Sequence, residues 1–468
     1  MTRHWWQRAL NSIADRGREL LKLSGRTEGV EALGALCHRL LVNRGEASGI
    51  ALAREVLNKY ALLDHEKRLE FFRVLASEFN PDTTALQSAM SAYLADPAPR
   101  NLTALVSAVE PPRQDLLRSL NMAPGGTSAL VQMRSDLLDF LPDDDSLSVV
   151  DSDLKHLFAS WFNRGFLDLE RIDWHSPADV LEKLIRYESV HVINGWDDLR
   201  RRLANDRSCY AFFHPAMPEV PLIFVEVALV KGMASNVQPL LDVEGVILDP
   251  TEADTAIFYS INNTQKGLRG ISFGNFLIKQ VLMELNRDFP HIRLAATLSP
   301  MPRFRRTLEN VLHGELSTLT EQMLDALLHE QANGLRNETG VATPLRALVQ
   351  QLEDTSSMSM AARTALERVA VAYLSAESRG MLLDPVARFH LANGARIERI
   401  NISADGSKQG REASYGVMVN YVYDLEQVEA NHENFINDGE IASSRSLSRI
   451  LRDVERVRAA SVGQRAAS

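Results

Sequence analysis

The sequence predicts an α+β protein: an all-helical N-terminal bundle over residues 1–155, then a mixed α/β domain over residues 156–468 with a helical insertion at about 305–377. Three observations predict it. Up to about residue 155, apolar residues recur at spacings of three and four and strand-like alternation is absent. Beyond that point come short β-branched and aromatic runs bounded by turn-forming residues. Between about 305 and 377 the helical spacing returns before strands resume.

In the first part, "VEALGALCHRLLVNRG", "HEKRLEFFRVLASEFN" and "TSALVQMRSDLLDFL" each carry one apolar stripe. Breakers separate them: Asn80-Pro81, Pro97, Pro99, Pro111-Pro112 and "APGG". No fixed-period repeat is present. No cluster of reactive side chains appears either, so this is a module for packing or oligomerisation. The opening "MTRHWWQRALNSIADRGREL" is basic and amphipathic and reads as a first helix, with a transit peptide as the alternative.

In the second part, "SVHVI" and "CYAFFH" read as short strands. "PLIFVEVALV" (Pro221–Val230) and "TAIFYSI" (Thr255–Ile261) read as buried strands. A glycine-bearing loop follows, then a helix from about Phe273 to Asp288, with Ile278, Val281, Leu285 and Phe289 on one stripe. "HIRLAATLS" resumes as a strand, which makes a strand–loop–helix–strand unit with the loop at a strand's carboxyl end. After the helical insertion, "ARIERINIS" alternates and "SYGVMVNYVYDL" is strand-like and aromatic. The tail after about Ser443 is helical or loose.

A chain of 468 residues can bury a sizeable core. Its formal net charge of −10 argues against a general nucleic-acid binder. Two cysteines, Cys37 and Cys209, are too few for a disulfide framework and suit a reducing compartment. No apolar run approaches the roughly 20 residues that span a membrane. The ending "VGQRAAS" is not a peroxisomal S-K-L signal, and the cytoplasm is the expected location.

The loop in "NNTQKGLRGISFGNFLIKQVLMEL" raises the chemical question. Gly267, Gly270 and Gly274 permit close approach or positive φ, and Lys266 and Arg269 add charge. The helix behind them would point free N–H groups and its positive dipole end at the loop. That is a phosphate or pyrophosphate site, or else a solvated turn with two incidental bases. There is no G-x-x-x-x-G-K-[ST] and no clean G-x-G-x-x-G, which disfavours a Walker-type NTPase and a dinucleotide fold. Ser299 in "AATLSPMPRF" stands at a strand end, where open sheets hold ligands, though a Ser-Pro pair is also a common turn. No G-x-S-x-G elbow accompanies it. His390 in "DPVARFHLANGARI" precedes a turn signal, and His214 in "FFHPAMPEVP" shapes a strand entry; each is a candidate or a core histidine. No histidine pair has metal-ligand spacing, so no metal is expected.

"LRGISFGNFLI" resembles the pyrophosphate loop of GNAT-type acyltransferases. Taken with "FFHPAMPEVPLIFVEVALV", "AIFYSINNTQKGLRGISFGNFLIKQV", "TLSPMPRF", "FHLANGA" and "ADGSKQGREASYGVMVNYVYDLE", the chain closely resembles the malonyl-CoA decarboxylase family over roughly residues 155–430. The resemblance implies a GNAT-like catalytic domain behind a helical N-terminal domain. It implies conversion of malonyl-CoA to acetyl-CoA and CO₂ without metal, biotin or another cofactor, coenzyme A being part of the substrate. Ser299 and His390 match the family's catalytic serine and histidine. The acyl-CoA loop matches Arg269, Gly270, Ile271, Ser272, Phe273, Gly274 and Asn275, with Lys266 and Gly267 beside it. A dimer or tetramer formed through the helical domain is implied as well. For the chemistry, His390 is expected to supply the proton, and Ser299 to bind the departing carboxylate or relay that proton. His214, Asn420, Tyr421 and Tyr423 are further pocket candidates, the alternative for the "VNYVYD" residues being an aromatic strand packed on the core. Two other functions use the same loop: a GNAT-type acyltransferase, releasing free CoA and an acylated amine, and a non-catalytic acyl-CoA-binding protein.

Overall fold

The computed structural model describes residues 11–16, 29–271 and 277–466. Their contacts divide them into two units, one within the ranges 1–168, 212–222 and 263–274, the other within 169–211, 223–262 and 275–468. The N-terminal stretch read as a first helix lies mostly outside the described residues; 11–16 within it are helical.

The first unit holds eight helices among its described residues from Val30 onward: Val30–Val42, Glu46–Ala61, His65–Glu78, Thr83–Ala95, Pro99–Val109, Pro112–Asn121, Gly126–Phe140 and Ser148–Trp161. The breakers set their starts. Pro99 and Pro112 occupy first helical positions, where a missing N–H costs nothing. Asp64 and Asp82 cap with their carboxylates, Asp64 accepting from Lys67 N–H at 2.9 Å. Phe71, Phe72, Leu75, Leu116, Leu117, Leu120, Leu130 and Leu137 form the core. The helices Thr83–Ala95 and Pro99–Val109 differ from the others. They pack on each other and bury no residue, leaving Met90, Leu94, Leu102, Val106 and Val109 exposed.

The second unit holds all but a few end residues of an eight-stranded sheet of β1 (Asp168–Ile172), β2 (Arg207–Phe213), β3 (Ile223–Val230), β4 (Thr255–Asn263), β5 (Leu294–Thr297), β6 (Ser299–Pro300), β9 (Arg396–Asn401) and β10 (Met418–Tyr423). The order is β1-β2-β3-β4-β5-β10-β6, with β9 on the other edge of β10. Every residue of β2 is buried and all but the last of β3, as in strands covered on both faces; the polar residues among them, Arg207, Ser208 and Glu226, are buried too, Glu226 against Arg202. β4 and β5 are parallel and joined through the helix Leu277–Asp288, which buries Ile278, Val281 and Leu285. This is the strand–loop–helix–strand unit expected from the sequence. Helices then run from Phe304–Leu312 to Met360–Leu374, and a small hairpin of β7 (Glu377–Ser378) and β8 (Met381–Leu382) precedes the helix Pro385–Ala392.

One expected strand is absent. Ser189–Ile193 is irregular. The carboxylate of Glu188 accepts the N–H groups of Val190 and His191, both at 2.8 Å, and Ser189 N–H goes to Asn262 Oδ1. Donors that a strand would spend on a ladder are spent on side chains instead.

β10 is irregular on both edges at the same place. On one edge the pairing with β9 shifts between Asn420 and Tyr421, leaving Glu398 as the extra residue of a bulge. On the other, β5 and β6 hold a single register across Leu298, with Val422 facing Ala296 and Met418 facing Pro300. Between those pairs, side chains replace ladder bonds. Tyr421 N–H donates to Thr297 Oγ1 at 3.2 Å, and Asn420 Nδ2 donates to the Thr297 carbonyl at 2.6 Å.

Candidate active site

Strand periodicity places Thr297 and Ser299 on one face of the sheet, and residues directly opposite share that face, so Tyr421 and Tyr423 of β10 join them. The intervening residues Ala296, Leu298, Met418 and Val422 point the other way, into an apolar cluster with Ile257 and Tyr259. The helix Pro385–Ala392 carries His390 in its last turn. Asp384 caps it, accepting from Ala387 N–H at 2.7 Å and from the Tyr373 hydroxyl at 2.8 Å.

These elements bring four polar side chains into one chain of hydrogen bonds, with Tyr421 joining it through its backbone N–H. His390 Nε2 lies 2.9 Å from Ser299 Oγ, and its Nδ1 lies 2.8 Å from the Tyr423 hydroxyl. Ser299 Oγ donates to Thr297 Oγ1 at 2.9 Å, and Thr297 Oγ1 also receives Tyr421 N–H. The Tyr421 ring stacks on the imidazole. All five are buried. Burial withholds water from the charged form of His390 and lowers its pKa from 6.5 to about 3, so the ring is neutral. Burial also holds both tyrosines well above the usual phenol value, so both are protonated at rest. Burial likewise raises Asp384, against the lowering effect of the bonds it accepts.

Of the residues singled out from the sequence, Ser299, His390, Tyr421 and Tyr423 are thus brought together. Asn420 is not among them. As the neighbour of Tyr421 on an extended strand it faces the opposite side, where it makes four hydrogen bonds: to the carbonyls of Thr297 and Ala234, and from Arg399 Nε and Asn401 Nδ2. It is a structural amide that closes the gap in the ladder. His214 belongs to the first unit. Its Nε2 lies 3.1 Å from the Trp161 carbonyl and its Nδ1 accepts Ala216 N–H, so both ring nitrogens serve local structure.

Lys266, Gly267, Arg269, Gly270 and Ile271 also belong to the first unit; Ser272, Phe273, Gly274 and Asn275 lie outside the described residues. Arg269 and Gly270 are exposed, and Gly270 has φ +78°, as a glycine turn requires. Lys266 pairs with Asp139. Gly267 has a different task from the one its sequence context suggested. A Cβ there would fall 1.9 Å from the Val131 carbonyl oxygen, so the glycine admits the helix Gly126–Phe140 rather than a ligand. Arg134 of that helix is fully buried, bonded to Asp151 at 2.7 Å and to the carbonyls of Gly267 and Arg269 at 2.6 and 3.0 Å. The loop backbone is therefore pinned from below by one guanidinium.

Thr297 and Asp384 were not picked out from the sequence. The signal for Thr297 was available: two residues before Ser299 on a strand, its hydroxyl has to share the serine's face. Among the described residues no group of three or more His, Cys, Asp or Glu is placed to hold a metal ion.

Comparison with known proteins adds a family. The model of the malonyl-CoA decarboxylase C-terminal domain matches residues 165–461. The chain belongs to the malonyl-CoA decarboxylase family. The model of that family's N-terminal domain matches residues 79–162. Among curated relatives, the mitochondrial malonyl-CoA decarboxylase of Anser anser anser is 38% identical over 338 residues, covering 70% of this chain and 67% of that protein. The mitochondrial malonyl-CoA decarboxylase of Rattus norvegicus is 36% identical over 355 residues, covering 73% and 71%. Among solved structures, malonyl-CoA decarboxylase from Rhodopseudomonas palustris superposes with a TM-score of 0.81 at 45% identity, over 90% of this chain and 100% of that one. Malonyl-CoA decarboxylase from Agrobacterium vitis gives 0.77 at 42%, over 90% and 99%.

Proposed function

We infer that this chain is a carboxy-lyase that converts malonyl-CoA to acetyl-CoA and CO₂. The observation that carries the reading is the buried Ser299–His390–Tyr423 chain within a member of this family. Breaking the bond between the α carbon and the carboxylate leaves its electron pair in the thioester, as an enolate. The α carbon must then take a proton. Ser299, His390, Tyr423 and Thr297 are all uncharged in this environment, and that suits the task. A fixed cation at the carboxylate would stabilise the ground state more than a transition state in which charge is leaving that group. A hydroxyl holds it more weakly.

In the proposed cycle Ser299 holds the carboxylate. Once CO₂ has left, the Ser299 proton passes to the α carbon, the His390 Nε2 proton replaces it, and the Tyr423 proton moves to Nδ1. The imidazole passes between two neutral tautomers, as its low pKa demands. A proton from water, which leaves as hydroxide, then enters at Ser299 and runs the relay back: the Ser299 proton returns to Nε2 and the Nδ1 proton to the Tyr423 oxygen, which restores the starting tautomer. The thioester is the electron sink, so the reaction draws on no resident cofactor or metal. Arg269, Gly270 and Lys266 are proposed to receive the CoA pyrophosphate, supported by their charge, exposure and positive φ.

Self-association through the helical part is proposed on the helical hairpin 83–109, whose two charged side chains, Asp96 and Arg100, pair with each other and whose apolar residues stand exposed. A cytoplasmic location is proposed with it; no described helix is long and apolar enough to cross a membrane.

The test is CO₂ release from carboxyl-labelled malonyl-CoA in the presence of a chelator, for wild type and Ser299→Ala. Release with acetyl-CoA as product, strongly reduced in the variant, is expected. Bound malonyl-CoA without CO₂ would leave a binding protein, and free CoA with an acylated amine would leave an acyltransferase.

A further inference from the structure

A serine beside a histidine is commonly a nucleophile, its O–H donated to a ring nitrogen that acts as base. The surroundings of Ser299 oppose that order. Thr297 Oγ1 lies 2.9 Å from Ser299 Oγ and takes its hydrogen, while a second lone pair receives Tyr421 N–H, a group that can only donate. With its hydrogen so engaged, Ser299 Oγ meets His390 Nε2 at 2.9 Å as an acceptor. Nε2 must then carry the proton. Nδ1, 2.8 Å from the Tyr423 hydroxyl, must accept from it.

We propose that Thr297 is a positioning residue that fixes the direction of this hydrogen-bond chain, Tyr423 to His390 to Ser299 to Thr297, and so sets the pair up as a proton donor rather than a nucleophile. When malonyl-CoA enters, the Ser299 hydrogen turns from Thr297 to the carboxylate without disturbing the bond from Nε2–H. The proton that the enolate will need is already loaded. This rests on the decarboxylase reading for its chemical consequence but not for the hydrogen-bond order itself.

The experiment pairs nitrogen-15 NMR of the histidine rings with steady-state kinetics. Wild type is expected to show His390 protonated at Nε2 and bare at Nδ1. Thr297→Val, which keeps the shape and removes the acceptor, is expected to turn the Ser299 O–H to Nε2 and shift the proton to Nδ1. Its kcat should fall by about 10- to 100-fold with KM unchanged, as a lost proton-transfer step does. Thr297→Ser, which restores a hydroxyl, should recover most of the kcat and the Nε2–H tautomer. An Nδ1–H tautomer in the wild type, or full kcat in Thr297→Val, would overturn the proposal. Should the valine variant not fold, the tautomer of Thr297→Ser decides: Nε2–H supports it and Nδ1–H sinks it. A wild type that releases no CO₂ removes the functional reading, while the ring tautomer still answers for Thr297.

Discussion

The imidazole of His390 lies flat against the phenol ring of Tyr421, with centroids 4.5 Å apart and planes inclined by 26°. Stacking from one side, the Tyr423 hydroxyl on Nδ1 and the capped helix behind it leave the ring one orientation. His390→Gln loses that ring and with it the relay. The expected cost is about 10²–10⁴-fold in kcat, with malonyl-CoA binding retained. Single-turnover kinetics beside equilibrium binding checks it, and unchanged turnover would remove His390 from the chemistry.

The same burial predicts a pH dependence of stability. The folded-state pKa of His390, about 3, is below the ordinary value of 6.5, so between these the unfolded chain binds the extra proton. The contribution is therefore fully present above pH 6.5 and is lost as pH falls toward 3. Wild type should lose on the order of 3 kcal/mol more than His390→Gln between about pH 6.5 and pH 4, read by urea unfolding at each pH. Parallel curves for the two proteins would contradict it.

Two glycines of one loop should respond oppositely in size. Gly267→Ala drives a methyl into the Val131 backbone, which cannot rotate away, and should cost about 3 kcal/mol or more. Gly270→Ala meets open space and pays only for its φ of +78°, about 1 kcal/mol. Denaturant midpoints of the two variants, measured side by side, settle the order.

Arg134 offers a third comparison. Arg134→Met strands the loop carbonyls of Gly267 and Arg269 and leaves Asp151 with Lys155 alone, at an expected cost of about 3–5 kcal/mol. Arg134→Lys keeps the charge without the planar fork, and should be destabilised less. Both should raise KM for malonyl-CoA more than they lower kcat, because the change reaches the loop and not the Ser299 chain. A kcat effect without a KM effect would speak against the loop as the CoA site.

The hairpin 83–109 is expected to be covered by a second copy. Val106→Glu places a charge on its exposed apolar face and should shift the protein to a smaller species in light scattering, with helicity preserved. An unchanged mass would move the interface elsewhere.

The elements legible in the sequence were those whose signal is local. β2, β3 and β4 declared themselves by short runs rich in aromatic and β-branched residues, and the helix Leu277–Asp288 by its stripe. Ser189–Ile193 was misleading because its residues suit a strand, while the partners of its N–H groups come from Glu188 and from Asn262, far along the chain. Ser299 and His390 were legible through the motifs around them. Their 2.9 Å contact was not, since 91 residues separate them. Asn420 was grouped with Tyr421 by adjacency, when the period of a strand already placed it on the opposite face. Gly267 stood in a glycine-rich loop, and nothing local could announce that Val131 would occupy its missing side chain.

The gap in the ladder between β5 and β10 has an evolutionary consequence. Over most of a sheet, strand spacing is written in backbone bonds that any sequence can make, so it is insensitive to mutation. At Thr297 and Asn420 it is written in two side chains. The height of the reactive hydroxyl above the sheet is therefore heritable at the level of a single codon. A lineage can raise, lower or redirect Ser299 by exchanging a threonine or an asparagine, while the rest of the scaffold stays as it is.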